Sequence, residues 1–395
     1  MISVDDALAR LFALVEPLGT ETIPLRQAAG RVLARDVTAR RDQPPFAASA
    51  MDGYAIREAD HRPDAVLRVI GEAAAGRAFA GAVGPGEAVR ILTGAPVPAG
   101  ADRVVLQEDV SREPEGRIRL GARLEAASHV RPAGQDFRAG DRFAAPRRLS
   151  ARDLALIAAM NIAEVTVHRR PVVALIATGD ELVMPGKTPG PDQIPASNSF
   201  ALAAQAEAAG AEARLLPIAR DSAESLTAVF ALARDADLIV TSGGASVGDH
   251  DLVAPVTEAL GMTRAFYKVA MRPGKPLMAG RMGRSVMLGL PGNPVSAIVC
   301  GTLFMQPLLH AMQGLPAAPA PRRSGRLAEP VAANGPREHY MRSRIEWRDG
   351  AALLHPFARQ DSALLGVLAE ADALLIRPAG DRERPAGSPV SYVPL

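Results

Sequence analysis

Carboxylates, glycines and cations recur together at four places between residues 170 and 313, a combination suited to handling phosphate. Thr178-Gly179-Asp180-Glu181-Leu182 sets two adjacent acids just after the apolar run Val172–Ala177. Hard oxygen donors there could hold a divalent cation or meet an approaching phosphate, although an N-cap aspartate opening a turn would use the same residues. Thr241-Ser242-Gly243-Gly244-Ala245-Ser246-Val247-Gly248-Asp249-His250-Asp251 follows a second apolar run. Paired glycines let backbone amides close on an anion, and hydroxyls and two more acids follow at once. Met271-Arg272-Pro273-Gly274-Lys275-Pro276, with Lys268 before it, is a basic glycine turn suited to an oxyanion; a solvated basic turn is the plainer alternative. In Leu290-Pro291-Gly292-Asn293-Pro294-Val295-Ser296 the chain enters a helix whose N-terminus favours an anion, and Pro294 suits its first position.

Taken together, these loops are expected to set Asp180, Glu181, Asp249 and Asp251 as metal ligands beside Lys268, Arg272 and Lys275, with Asp221 nearby. Carboxylates next to cations and amide nests are what Mg²⁺-assisted phosphate chemistry requires. Neither a Walker glycine-lysine loop nor a G-x-G-x-x-G fingerprint is present, which weakens motor and dehydrogenase readings. The histidines lack zinc spacing, and Cys300, inside an apolar run, reads as a structural thiol rather than a nucleophile. A second group of polar strings lies far upstream: Ser49-Ala50-Met51-Asp52-Gly53-Tyr54-Ala55, Leu92-Thr93-Gly94-Ala95-Pro96-Val97-Pro98 and Val130-Arg131-Pro132-Ala133-Gly134-Gln135-Asp136. On composition alone each is an ordinary turn.

The elements that must carry these loops follow from pattern. A chain of 395 residues exceeds one hydrophobic core, so two to four domains are expected. The apolar runs from Val172 onward alternate with helical segments, the signature of parallel strands with crossover helices, whose ligands sit at the strands' carboxyl ends. The fold class is therefore α/β multidomain: a central doubly wound, mostly parallel domain (170–315), a β-rich insertion (45–130), a mixed N-terminal domain (1–44 with 131–169), and, beyond the proline-rich break near Pro316–Pro321, a small β-barrel (322–395). The first forty residues read as helix, turn, helix, with Ser3 capping the first helix and two early acids behind it.

Composition excludes several classes. A net charge of +2 and 4% aromatic residues leave neither a basic face nor stacking platforms for nucleic acid. The single cysteine permits no intramolecular disulfide and suits a reducing compartment. The N-terminal stretch has no basic n-region, and no uninterrupted apolar run reaches bilayer length, so no membrane association and a cytoplasmic location are expected.

Six strings in one order, SAMDGYA, LTGAPVP, TGDELV, TSGGASVGDHD, RPGKPL and GLPGNPVS, resemble the molybdopterin molybdenumtransferase family, which includes the bacterial insertase and the C-terminal domain of gephyrin. The likeness runs essentially end to end. It implies an elongated four-domain homodimer that binds adenylyl-molybdopterin with Mg²⁺, releases AMP by hydrolysis and inserts molybdenum from molybdate into the dithiolene. It also implies a site shared between the central domain of one subunit and the β-rich domain of the other. By matching motif, Asp52, Thr93, Glu181, Asp221 and Asp251 fall on positions needed for activity. Ser242, Gly243, Gly244, Ser246, Lys268, Arg272, Lys275, Pro291, Gly292, Asn293, Pro294 and Arg131 fall on positions that bind substrate. Asp136 completes the string begun by Arg131, and Arg337, Arg342 and Ser362 are further carry-overs from the last domain. The adenylyltransferase and molybdoenzyme chaperones are the macromolecular partners implied. This chain departs from the family in having Arg272 where Lys is common, Gln135 where an acid is frequent and Asp361 where Gly is common. Two rival readings are the sibling molybdopterin adenylyltransferase, which shares only the central domain, and a non-catalytic scaffold of the gephyrin kind.

Overall fold

A computed structural model describes residues 1–244 and 252–395. The chain divides into two compact units: Met1–Glu21 with Gly30–Ala34 and Val167–Leu395, and Thr22–Ala29 with Arg35–Thr166.

The first unit is built on a six-stranded sheet. Its order is Glu212–Leu215, Val172–Ala177, Leu238–Ser242, Ser285–Leu290, Met278–Met282, Met262–Tyr267. The first four strands are parallel, and the last two run antiparallel at one edge. Residues on both faces of the central strands are buried, which is why these runs are apolar without alternation. Val173, Leu175, Val240 and Leu288 pack on one side with the helices Asn198–Ala208 and Pro294–Met312. Ala174, Ile176, Ile239 and Met287 pack on the other with Ala223–Leu232 and Val253–Ala259. The sheet is thus covered on both sides, the doubly wound arrangement expected from the alternation of strand and helix. The antiparallel strand Met278–Met282 was hidden in the sequence between the basic turn and the following strand.

The N-terminal helix, Val4–Phe12, starts where Ser3 Oγ accepts from the Asp6 amide at 3.0 Å. Val4, Ala7, Leu8 and Leu11 recur at helical spacing and are buried in the core of this unit, near Phe266 and Val269. The second helix expected before residue 41 does not form. A 3₁₀ turn at Leu25–Gln27 and the short strands Val32–Leu33 and Val37–Thr38 take its place. Pro24 and Gly30 leave too little chain between breaks for a helix, and the β-branched Val32, Val37 and Thr38 favour extended backbone.

The helix from Pro294 to Met312 is long and apolar enough to cross a bilayer, contrary to the expectation that no such run exists. Its apolar window is 83% buried inside the fold, so it is a core helix. It widens to π geometry over Gly301–Met305. A Cβ on Gly301 would lie 2.1 Å from Gln205 Oε1, so the glycine is what lets the helix Asn198–Ala208 cross this closely.

At the C-terminal end five strands close on themselves in the order Glu338–Arg348, Ala351–Pro356, Arg323–Leu327, Pro389–Pro394, Ala373–Arg377, the last pairing back to the first. Closure removes free sheet edges, and Leu354, Leu375, Val390 and Tyr392 fill the interior. The strand Glu338–Arg348 also takes up Met271–Arg272 in parallel pairing, which ties the basic turn of the α/β part to the barrel.

The second unit contains a six-stranded sheet ordered Arg103–Leu106, Gly53–Ile56, Glu87–Ile91, Val66–Ala73, Arg117–Leu120, Val110–Glu113. Tyr54 and Ile56 enter one core while Ala55 enters another, the period-two alternation of a sheet covered on both faces. The helix Ala151–Ala159 opens with a capping box in which Ser150 and Asp153 serve each other's backbone.

Candidate active site

Ala177, Ser242 and Leu290 stand side by side in register at the carboxyl ends of three adjacent parallel strands. The chain leaves each strand there, and the three exits line a cleft of about 760 Å³. Glycines make its walls. Gly243 adopts φ +103°, and a Cβ there would lie 2.6 Å from Thr178 O and 2.7 Å from Thr178 Oγ1. A Cβ on Gly292 would sit in van der Waals contact, 3.4 Å from Gly243 Cα, so the turns after the third and fourth parallel strands meet through glycine. At Gly243 no other residue type would let the two backbones approach this closely.

Of the residues nominated from the sequence, Glu181, Asp221, Ser242, Gly243, Gly244, Pro291, Gly292, Asn293 and Pro294 line this cleft. Asp180 does not line it. Its Oδ1 accepts from the Asp221 amide at 3.3 Å and its carbonyl from Arg220 at 2.8 Å, so it links the two acidic loops. Ser246, Asp249 and Asp251 lie outside the described residues. Lys268, Arg272 and Lys275 are also not among the lining residues. Lys268 sits in a left-handed conformation with its ammonium 5.0 Å from the Tyr267 ring centre, whereas Arg272 and Lys275 are exposed. Pro276 brings the end of their turn to the cleft. Among the described residues no three His, Cys, Asp or Glu side chains gather as a metal site.

Three further residues complete the cleft: Asn198, which the sequence did not single out, Ser362, which only the family resemblance named, and Thr178, quoted only as the head of its loop. Asn198 Nδ2 donates to Gly292 O at 2.7 Å, so the first turn of its helix anchors the proline-glycine loop. Asn293 Nδ2 donates to Ser362 Oγ at 3.0 Å, and the Val295 amide donates to Ser362 O, so a loop of the barrel finishes one edge of the cleft. Thr178, at the end of its strand, is buried in the lining, and its Oγ1 has no partner among the described residues. The string Ser197-Asn198-Ser199 before a helix was the available signal for Asn198; nothing local signals the barrel loop.

The second unit holds its own constellation. Thr93 donates to Asp52 Oδ1 twice, from its amide and from its hydroxyl, each at 2.7 Å. Those bonds, from the hydroxyl first, hold the Asp52 carboxyl below the usual carboxylate range, with a smaller contribution from the charge of Arg90. Two of the upstream strings are therefore one structure: Gly94 N donates to Ser49 O, and Ser49 N to Ala95 O, each at 2.9 Å. Val130–Arg131 pairs antiparallel with Ala48–Ser49, which draws in the third string and leaves the Arg131 side chain exposed. Asp136 also joins by its backbone, its amide donating to Gln43 O.

Glycine turns, hydroxyls and acids at the carboxyl ends of a doubly wound sheet place a polar cleft where α/β enzymes hold their ligands. Known families agree in detail. Residues 2–161 match the MoeA N-terminal region (domain I and II), 174–311 a probable molybdopterin binding domain, and 324–395 the MoeA C-terminal region (domain IV). The molybdopterin molybdenumtransferase of Nostoc sp. is 36% identical over 100% of this chain and 94% of its own. That of Bacillus subtilis is 32% identical over 99% and 94%. A crystal structure of the molybdopterin biosynthesis moeA protein from Pyrococcus horikoshii OT3 covers 100% of both chains with TM-score 0.84 at 26% identity. The chain belongs to the molybdopterin molybdenumtransferase family, transferases of molybdenum cofactor biosynthesis.

Proposed function

We propose that this enzyme binds adenylyl-molybdopterin in the cleft between Thr178 and Pro294, releases AMP by hydrolysis and transfers molybdenum from molybdate to the dithiolene. The observation that carries this reading is the chemical make-up of the cleft, where touching glycine turns face the acids Glu181 and Asp221. Backbone that can approach a phosphate, with carboxylates beside it, suits cleavage of a phosphoanhydride rather than of an apolar substrate. Water adds at phosphorus, the bridging P–O bond breaks, and one phosphate leaves on AMP while the other stays on the pterin. In this mechanism Glu181 and Asp221 orient the water and accept its proton. Pro291 and Pro294 hold the floor rigid, and Asn198 and Asn293 fix it from two sides.

Glu181, which lines the cleft, offers hard oxygen donors that fit Mg²⁺, an ion content with one or two carboxylates plus substrate phosphates, and Asp249 and Asp251 would complete the set. The ion would supply charge neutralisation at the phosphate bridge. Lys268, Arg272 and Lys275, together with Arg337, Arg342 and Ser362 of the barrel, are assigned to the tetrahedral oxyanion. Arg342 supports this: it is 1% exposed, and among the described residues its guanidinium donates to the neutral acceptors Gln360 Oε1 at 3.1 Å and Asp361 O at 2.7 Å, the Asp361 carboxylate acting on it only through its charge. A buried cation normally has an acid opposite.

Asp52, Thr93 and Arg131 are assigned to the same reaction, supplied by a second copy in a cytoplasmic homodimer. Complementation tests both halves at once. Asp52→Ala and Glu181→Ala should each abolish AMP release from adenylyl-molybdopterin, and a mixture of the two, unfolded and refolded together, should recover about a quarter of wild-type activity because heterodimers regain one intact site. Full activity in both single variants would remove the site assignment. Inactive variants that never complement would remove the sharing between subunits. Turnover of ATP with free molybdopterin would favour the adenylyltransferase reading instead.

A further inference from the structure

Next to the basic turn, Arg272, His339 and Arg377 occupy one register row across three adjacent strands, Arg272 pairing with His339 in parallel and His339 with Arg377 antiparallel. Residues opposite one another in a sheet project from the same face. Arg337 joins them, its guanidinium donating to Met271 O at 3.5 Å. His339 is 7% exposed, and its Nε2 is buried without a partner among the described residues. Charge here is unbalanced. Arg377 is paired with Asp381 at 2.7 Å, but Arg384 engages the same carboxylate. Asp361 lies near Arg342, with its Oδ1 taken by the Ala363 amide. Glu338 is bonded to the Tyr340 hydroxyl. Among the described residues no acid forms an ion pair with Arg272, Arg337 or Arg342.

We propose that His339 belongs to the oxyanion site and takes up one proton when a tetrahedral dianion settles beside Arg272 and Arg337. The inference rests on the assignment of those arginines to an oxyanion made above and adds a proton to it. Before the dianion arrives, burial first, and then the charges of Arg272, Arg342, Arg377 and Arg337, hold the ring neutral with a pKa of about 4. Burial persists in the complex, but a dianion nearby cancels the cationic field and favours the imidazolium. Because the bound state has the higher pKa, binding strengthens as pH falls through that value. If the bound pKa returns to its ordinary value of about 6.5, affinity at pH 6 exceeds that at pH 8 by roughly fourfold. The dianion could be free molybdate or the phosphate of a bound pterin, and one chemistry serves both.

Isothermal titration of the intact protein with molybdate at pH 6, in buffers of different ionisation enthalpy, counts the protons taken up. A parallel titration with AMP serves as the phosphate-monoester arm. Wild type should gain a fraction of a proton with molybdate, and H339Q should bind but gain none and lose the fourfold pH dependence. Uptake that depends on His339 with AMP alone would assign the site to a substrate phosphate and overturn the free-oxyanion source. Unchanged uptake in H339Q, or none in wild type, would overturn the proposal. Should H339Q not fold, the ¹⁵N resonance of the His339 ring in wild type reads the same event, and failure of its pKa to rise on adding molybdate counts against it. Cofactor formation at pH 8 with saturating molybdate reads the earlier assignment separately, so product without linked protons discards this inference alone.

Discussion

Gly243→Ala tests whether the cleft is built on backbone contact. The residue holds φ +103°, and an added methyl would fall 2.6 Å from Thr178 O and 2.7 Å from its hydroxyl. The carbonyl directly follows a central strand, held where the Thr178 amide donates to Ser242 O, and cannot move aside without disturbing the register of Ala177 with Ser242. Backbone strain at such a φ costs about 1–3 kcal/mol, and forcing a methyl into a packed site costs a further 1–3 kcal/mol or so, which together predict roughly 2–6 kcal/mol. Gly261→Ala is the control, because Gly261 adopts φ +89° with no atom within 4 Å of the added methyl. It carries only the backbone component, about 1–3 kcal/mol. Urea unfolding followed by far-ultraviolet circular dichroism measures both, and AMP release from Gly243→Ala should also fall because the methyl enters the anion cradle. Agreement of the two variants within about 0.5 kcal/mol would refute the steric argument, since that is the ordinary scatter of a surface substitution.

Two further outcomes follow from buried groups. The Cys300 thiol is fully buried against Gly274, and burial pushes its pKa up, so it should resist thiol reagents in the native protein and react only after denaturation; rapid native labelling would contradict this packing. Arg377 is 2% exposed and relies on Asp381, so Asp381→Ala should destabilise the protein by about 3 kcal/mol in urea unfolding, a change within about 0.5 kcal/mol disproving the dependence. Burial raises the Asp381 pKa, but Arg384 and Arg377 outweigh it and hold the carboxyl below 3.8. The stabilisation is therefore complete above pH 4 or so and lost as pH falls through the folded value, a loss that Asp381→Asn should not show.

Much of this enzyme was legible in its sequence because its chemistry is local. A strand end followed by glycines is written in consecutive residues, so Gly243, Gly292 and Glu181 could be nominated from spacing alone, and the doubly wound sheet followed from apolar runs alternating with helices. Ser3 could be recognised as a cap because a cap needs only its own neighbours. What tertiary structure alone decided are pairings between distant segments. Thr93 grips Asp52 across 41 residues, Asn198 reaches Gly292 across 94, and Ser362 meets Asn293 from a separate barrel. No local pattern encodes such contacts, since they depend on where the sheets carry each loop. The second N-terminal helix was misread because short polar segments have little periodicity of their own, and the strands that replaced it take their form from pairing. His339 is the extreme case: a histidine in isolation, it becomes a candidate proton acceptor only because strand register sets it between arginines, out of water and without an acid.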